Sequence, residues 1–174
     1  MKWWLLIILS LSLAFLGCEK TDQPTINEDG TKDNGKLESG GKNPESKTGV
    51  WLTDWNDAMK TADVLNRPVL VDFTGSDWCI WCKKLEEEVF GKGEFLEYAK
   101  KNLVLLKVDF PRDIEQSEEL QKFNEQKMKE YGIQGFPTIV LVNSKGEEIA
   151  RTGYRPGGAK EYVKHLQELL QPKE

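Results

Sequence analysis

Two cysteines separated by two residues, Cys79 and Cys82, follow closely on the apolar segment Pro68-Val69-Leu70-Val71-Asp72-Phe73. A short, nearly continuous apolar run of this kind is expected of a strand buried on both faces. Cys82, Leu85, Val89 and Phe90 then mark one face of a helix that begins near Cys79. The pair is thereby placed at a strand-to-helix junction, its thiols one helical turn apart. They can close as a disulfide or open as a dithiol. At a helix N-terminus, unpaired N–H groups and the macrodipole favour the thiolate, the form that attacks disulfides.

The elements around this junction follow from periodicity and breakers. Trp51 to Asn66 reads as a helix, with Trp55, Met59, Ala62 and Leu65 at helical spacing. Gly91 and Gly93 break the motif helix before Phe95 to Lys101. Leu103 to Val108 is a second buried strand, and Ile114 to Tyr131 a helix ended by Gly132. Pro137 to Val142 is a third strand, joined by the turn Asn143-Ser144-Lys145-Gly146 to a hairpin partner at Glu147 to Arg151. Gly157 and Gly158 precede a last helix whose apolar face carries Tyr162, Leu166, Leu169 and Leu170. The order predicts an α/β fold, with a central mixed sheet of about four strands flanked by helices. The chain has 174 residues, and those from about Val50 onward suffice for one core without disulfide staples. With 24 basic against 29 acidic residues and no basic stripe, nucleic acid is excluded as the main partner.

The N-terminus reads as an address. Met1-Lys2 and the apolar stretch Trp3 to Leu16 have the form of a secretory signal, and about 14 residues is short for a membrane-spanning helix. Phe15-Leu16-Gly17-Cys18 resembles the bacterial lipoprotein box, with Phe15 where an aliphatic residue is usual. That resemblance implies cleavage after residue 17 and lipidation of Cys18; an ordinary signal peptide or an uncleaved anchor is the plainer reading. Residues 18–48 carry no aromatic side chain and few apolar ones, so disorder is expected. Some 30 flexible residues give a reach of roughly 30 Å, the behaviour of a tether. The expected organisation is signal peptide 1–17, lipid-anchored tether 18–48 and folded domain 49–174.

Over about Val50 to Leu170 the chain resembles the thioredoxin superfamily, and within it bacterial exported proteins with a Trp-Cys-x-Trp-Cys-Lys motif. The match is carried by Val71-Asp72-Phe73 through Trp78-Cys79-Ile80-Trp81-Cys82-Lys83, and by Gly135-Phe136-Pro137-Thr138. The resemblance implies a thioredoxin fold and the following roles. Cys79 is the exposed, low-pKa nucleophile and Cys82 the buried thiol that resolves the mixed disulfide. Pro137 is cis, so that the backbone beside it pairs with an extended client segment, and Phe136 shapes that contact. Asp72 is the buried carboxylate that helps take the proton from Cys82, with Lys107 of the next strand nearby. Trp78 and Trp81 form apolar contact surface around the reactive sulfur. Two departures stand out. Gly75-Ser76-Asp77 lengthens the strand-to-motif connection by one residue, which makes Asp77 a second candidate for the task of Asp72. Trp81 replaces the familiar proline of the intervening dipeptide, so the redox potential is this chain's own.

Competing readings exist for each feature. The cysteines could be structural, but the flanking tryptophans, the upstream strand and the Pro137 motif argue otherwise. Zinc needs four ligands, and the chain offers one pair and His165, expected at the surface or half-buried in the last helix. Copper(I) on two thiolates is the sharper rival, giving a binding or client-holding module without turnover. Pro137 could be a trans proline at an edge strand, and Asp72 could simply end a strand. Trp51 and Trp55 read as core or surface-covering aromatics, and Glu115 to Glu130 as a solvated helix face. The sequence therefore predicts a membrane-tethered extracytoplasmic thiol–disulfide oxidoreductase on the periplasmic side, working as a reductase. No cofactor is expected beyond the cysteine pair. Its expected partners are client proteins and a transmembrane electron carrier, and a monomer is expected.

Overall fold

Val69–Thr74 forms β2, and all six of its side chains are buried, because both faces of the strand are covered. The computed structural model describes residues 43–171. Around β2 it arranges β1 (Trp51–Leu52), α1 (Trp55–Leu65), α2 (Ile80–Leu85), a π-turn (Glu86–Phe90) and α3 (Gly93–Asn102). β3 (Val104–Asp109), α4 (Glu118–Glu130), β4 (Thr138–Val142), β5 (Glu148–Gly153) and α5 (Gly158–Leu169) follow. The sheet order is β1-β3-β2-β4-β5. β1 and β2 run parallel to β3, whereas β4 is antiparallel to β2 and to β5.

Strand alternation sends Val69, Val71 and Phe73 to one face, where they meet Trp55, Ala58 and Ala62 of α1. Leu70 points to the other face with Leu105, Ile139 and Leu141, under Leu85, Phe90, Phe95, Tyr162 and Leu166. Asp72 shares that second face by the same alternation and is buried on it.

Several boundaries differ from the sequence expectation, each for a local reason. The first helix starts at Trp55, not Trp51, because the Asp54 carboxylate accepts from the Asp57 N–H at 2.7 Å and caps it. Trp51 and Leu52 are thus released as a fifth strand, paired with Leu105 and Leu106. The helix expected from Ile114 begins at Glu118, where the Ser117 hydroxyl accepts from Leu120 N–H at 3.3 Å, leaving Ile114 exposed. The motif helix does not run regularly to Gly91. Gly91 N–H donates to Glu86 C=O at 2.8 Å, the five-residue spacing of a π-turn.

The signal peptide expected at 1–17, the Cys18 lipidation site and most of the expected tether lie outside the described residues. The last part of that tether is described. Pro44–Lys47 is a 3-10 turn capped by the Asn43 side chain, and the Lys47 ammonium pairs with Asp57 of α1. Residues 44–47 of the expected tether are therefore folded against α1, contrary to the disorder expected there. Among the described residues no helix is long and apolar enough to cross a membrane.

Candidate active site

The connection between β2 and α2 is held from below by β3 and the segment after it. The Asp109 carboxylate accepts from the Ser76 N–H at 2.9 Å and from its hydroxyl. The Asp77 carboxylate accepts from the backbone N–H groups of Arg112 at 2.9 Å and Asp113 at 2.7 Å. Desolvation pushes the Asp77 pKa up, but the amides of Asp113 and Arg112 outweigh it and hold the pKa below the usual range. Asp77, the second candidate for proton acceptor, is thus occupied in shaping the loop.

Gly75 makes room for Trp78. A Cβ on Gly75 would lie 2.5 Å from the indole, so only glycine lets that ring fold back over the chain. The indole N–H donates to Phe110 C=O at 2.8 Å. Its edge meets Phe136 at 5.9 Å between centroids, and Phe136 stacks on Phe110 at 5.1 Å. The Phe136–Pro137 peptide bond is cis, at the head of β4. Arg112 lies over the Trp78 ring at 3.9 Å.

Cys79 is the N-cap of α2, and its sulfur accepts from Cys82 N–H at 3.2 Å. The two residues are joined in a disulfide, with Cα atoms 5.2 Å apart. Cys79 is only 6% exposed, which corrects the exposed nucleophile implied by the family resemblance. In the closed disulfide the sulfur turns inward over the helix end, toward Cys82. The next two residues instead carry the exposed surface of the motif. Ile80 is 76% and Trp81 54% exposed, at the opening turn of α2. Trp81 is steadied by Tyr154 at 5.2 Å, and the Lys84 ammonium stands 5.4 Å from both rings.

Cys82 opens on a cavity of about 210 Å3, which Asp72, Thr74, Lys83, Glu86 and Lys107 also line. Asp72 Oδ1 is buried with no hydrogen-bond partner. Burial pushes the Asp72 pKa up to about 7. Lys107 opposes that rise, while Glu86 and Asp109 add to it. Asp72 and Lys107 are register partners on β2 and β3. The Lys107 ammonium contacts a Glu86 carboxylate oxygen at 3.6 Å and stands 5.3 Å from the Trp51 ring centroid.

The structure thus brings Asp72, Cys82 and Lys107 around one cavity. On the other side of the motif it gathers Trp78 and Phe136 beside Pro137, and leaves Trp81 on the rim. His165 is half-buried on α5 and hydrogen-bonds the Thr152 hydroxyl at 3.0 Å, apart from that cavity. Three neighbours were not anticipated. Glu86, four residues after Cys82, is findable from helical spacing. Tyr154 and Arg112 carry no such signal, because only tertiary packing brings them to the motif.

Residues 55–169 match the Thioredoxin-like domain family. The chain is 29% identical to the "Disulfide bond reductase DsbH" of Chlamydia pneumoniae, with 98% of each chain covered. It is 31% identical to the "Thiol:disulfide interchange protein DsbD" of Yersinia pestis, over 61% of this chain but only 16% of that protein. The solved structure of "DsbH Oxidoreductase" superposes with a TM-score of 0.66 at 33% identity, covering 69% of this chain and 83% of that one. The chain therefore belongs to the thioredoxin-like family, within which it is a protein thiol–disulfide oxidoreductase.

Proposed function

We propose that this protein is an extracytoplasmic reductase of protein disulfides, anchored through lipid on Cys18 and held on the tether at 18–48. The observation that carries the reading is the Cys79–Cys82 disulfide at the head of α2, with Cys82 sharing a cavity with the buried Asp72, whose Oδ1 has no hydrogen-bond partner. The reducing direction is supported by likeness to a protein named as a disulfide bond reductase over 98% of both chains.

The cycle starts when two electrons and two protons from a transmembrane carrier open the disulfide to a dithiol. Helix N–H groups stabilise the Cys79 thiolate, which attacks one sulfur of a client disulfide. The client S–S bond breaks, the leaving thiolate takes a proton, and a mixed disulfide with Cys79 remains. Asp72 accepts the proton of Cys82, and a pKa near neutrality suits it to that exchange. The Cys82 thiolate attacks the Cys79 sulfur, reforms the internal disulfide and releases the second client thiolate. Two electrons have then passed from protein to client.

Trp78, Phe136 and Pro137 form one wall of the client site and Trp81 the other. Lys107 tempers the field at Asp72. Clients are proteins with disulfides, the reactive centre is protein sulfur alone, and the working unit is a monomer.

Equilibration with glutathione mixtures tests the direction. A potential near that of thioredoxin, about −270 mV, is expected; one near that of the oxidant DsbA, about −120 mV, overturns the reductase reading. Copper(I) binding without disulfide exchange would overturn the enzyme reading itself.

A further inference from the structure

Among the described residues Lys107 is the cation that opposes the rise in the Asp72 pKa, yet it is weakly fixed by the sheet itself. β1 pairs with β3 only as far as Leu106, so Lys107 lies one residue past the last β1 pair, at the open side of the sheet. Its side chain is 26% exposed and could turn outward. Trp51, opposite Leu105, shares a sheet face with Lys107 by the two-residue period. The indole reaches diagonally to place its ring 5.3 Å from the ammonium. That ring is anchored in turn on Phe90 of the π-turn at 5.1 Å. Gly49, with φ of +72°, makes the bend into β1 against Lys100, where a Cβ would already lie at 3.2 Å.

We propose that Trp51 is a positioning residue of the redox site, whose ring holds the Lys107 ammonium over the Cys82 cavity, facing Asp72 and Glu86. An aromatic face attracts a cation and does not neutralise it. The ring therefore adds a second hold on the ammonium, beside the Glu86 carboxylate at 3.6 Å, and takes away none of its charge. The remaining groups facing Asp72 are Glu86 on the π-turn, Asp109 on β3 and Tyr162 on α5, with Lys83 and Glu87 at the cavity rim. The Lys107 ammonium rests on the Trp51 ring and on Glu86, so removing the ring loosens the lysine. This role in turnover rests on the reading of Asp72 as proton acceptor.

The test is the titration of the Asp72 carboxyl in the oxidised full-length protein, followed by carbon NMR and assigned with Asp72→Asn. Trp51→Leu is expected to raise the Asp72 midpoint by about one pH unit, the influence of one nearby opposite charge. Trp51→Phe raises it less, because phenyl is the weaker cation partner. Lys107→Gln raises it as well, and adding Trp51→Leu to Lys107→Gln then moves it no further. An unmoved midpoint in Trp51→Leu overturns the proposal, and so does an equal rise in the Lys107→Gln background. Should Trp51→Leu not fold, Trp51→Phe in the two backgrounds decides by the same comparison. The proton-acceptor reading fails separately, if Asp72→Asn leaves the pH profile of turnover unchanged.

Discussion

Replacing Asp72 with asparagine should stabilise the oxidised protein, by an amount that grows with pH. Asp72 is buried with one oxygen unpartnered, and burial carries its pKa from 3.8 to about 7. In the unfolded chain the same carboxyl loses its proton near pH 4. Between those values the folded state retains a proton that the unfolded state releases, so rising pH favours unfolding. Each pKa unit is about 1.4 kcal/mol. The wild type therefore loses roughly 4 kcal/mol between pH 4 and the region above pH 7 through this group. Asparagine has the same shape and no charge to desolvate. Its advantage should be close to zero at pH 4 and should approach the full amount above pH 7. Urea unfolding at several pH values measures this directly, as a midpoint displaced by about 2 M at pH 8 for an ordinary slope. A variant whose advantage is the same at pH 4 and pH 8, or one less stable than wild type at pH 8, refutes the reasoning. Either result would mean that the carboxylate is already solvated or paired in the native protein.

Three further outcomes are expected. Cys82→Ser should abolish multiple-turnover insulin reduction while letting a Cys79–client mixed disulfide accumulate, visible on non-reducing gels; wild-type turnover would contradict the two-cysteine cycle. Gly75→Ala should cost about 1–3 kcal/mol in urea unfolding and change the near-UV circular dichroism, since the new Cβ must displace the Trp78 indole it would meet at 2.5 Å. Trp81→Ala should cost no more than about 1–2 kcal/mol of stability, because the residue is 54% exposed and loses only its contacts with Tyr154 and Lys84. Its KM for a protein disulfide should nevertheless rise by about 3- to 10-fold, as for loss of an aromatic anchor; an unchanged KM removes Trp81 from the client surface.

Much of the fold was legible because its signals are local. The run Val69–Phe73 reads as a doubly buried strand from its composition, and the structure buries every residue of β2. Errors gathered where a cap outranked periodicity. Asp54 and Ser117 start their helices later than the apolar spacing suggests, and Trp51 passed for a helical residue while pairing as a strand. The π-turn at Glu86–Phe90 carried no separate signal, because its apolar residues Val89 and Phe90 also suit a regular helix that ends at Gly91.

By itself, the sequence determined the chemistry on offer: two thiols at helical spacing behind a buried strand, and a second motif 55 residues on. Local spacing suffices for that, since neighbouring residues can be only so far apart. What the thiols face was decided by the tertiary structure. Sheet register sets Asp72 beside Lys107, loop hydrogen bonds commit Asp77 elsewhere, and packing brings Trp51 to Lys107 and Tyr154 to Trp81. Charge acts through space, so a carboxylate's pKa follows the neighbours that folding assembles and not the residues beside it in the chain.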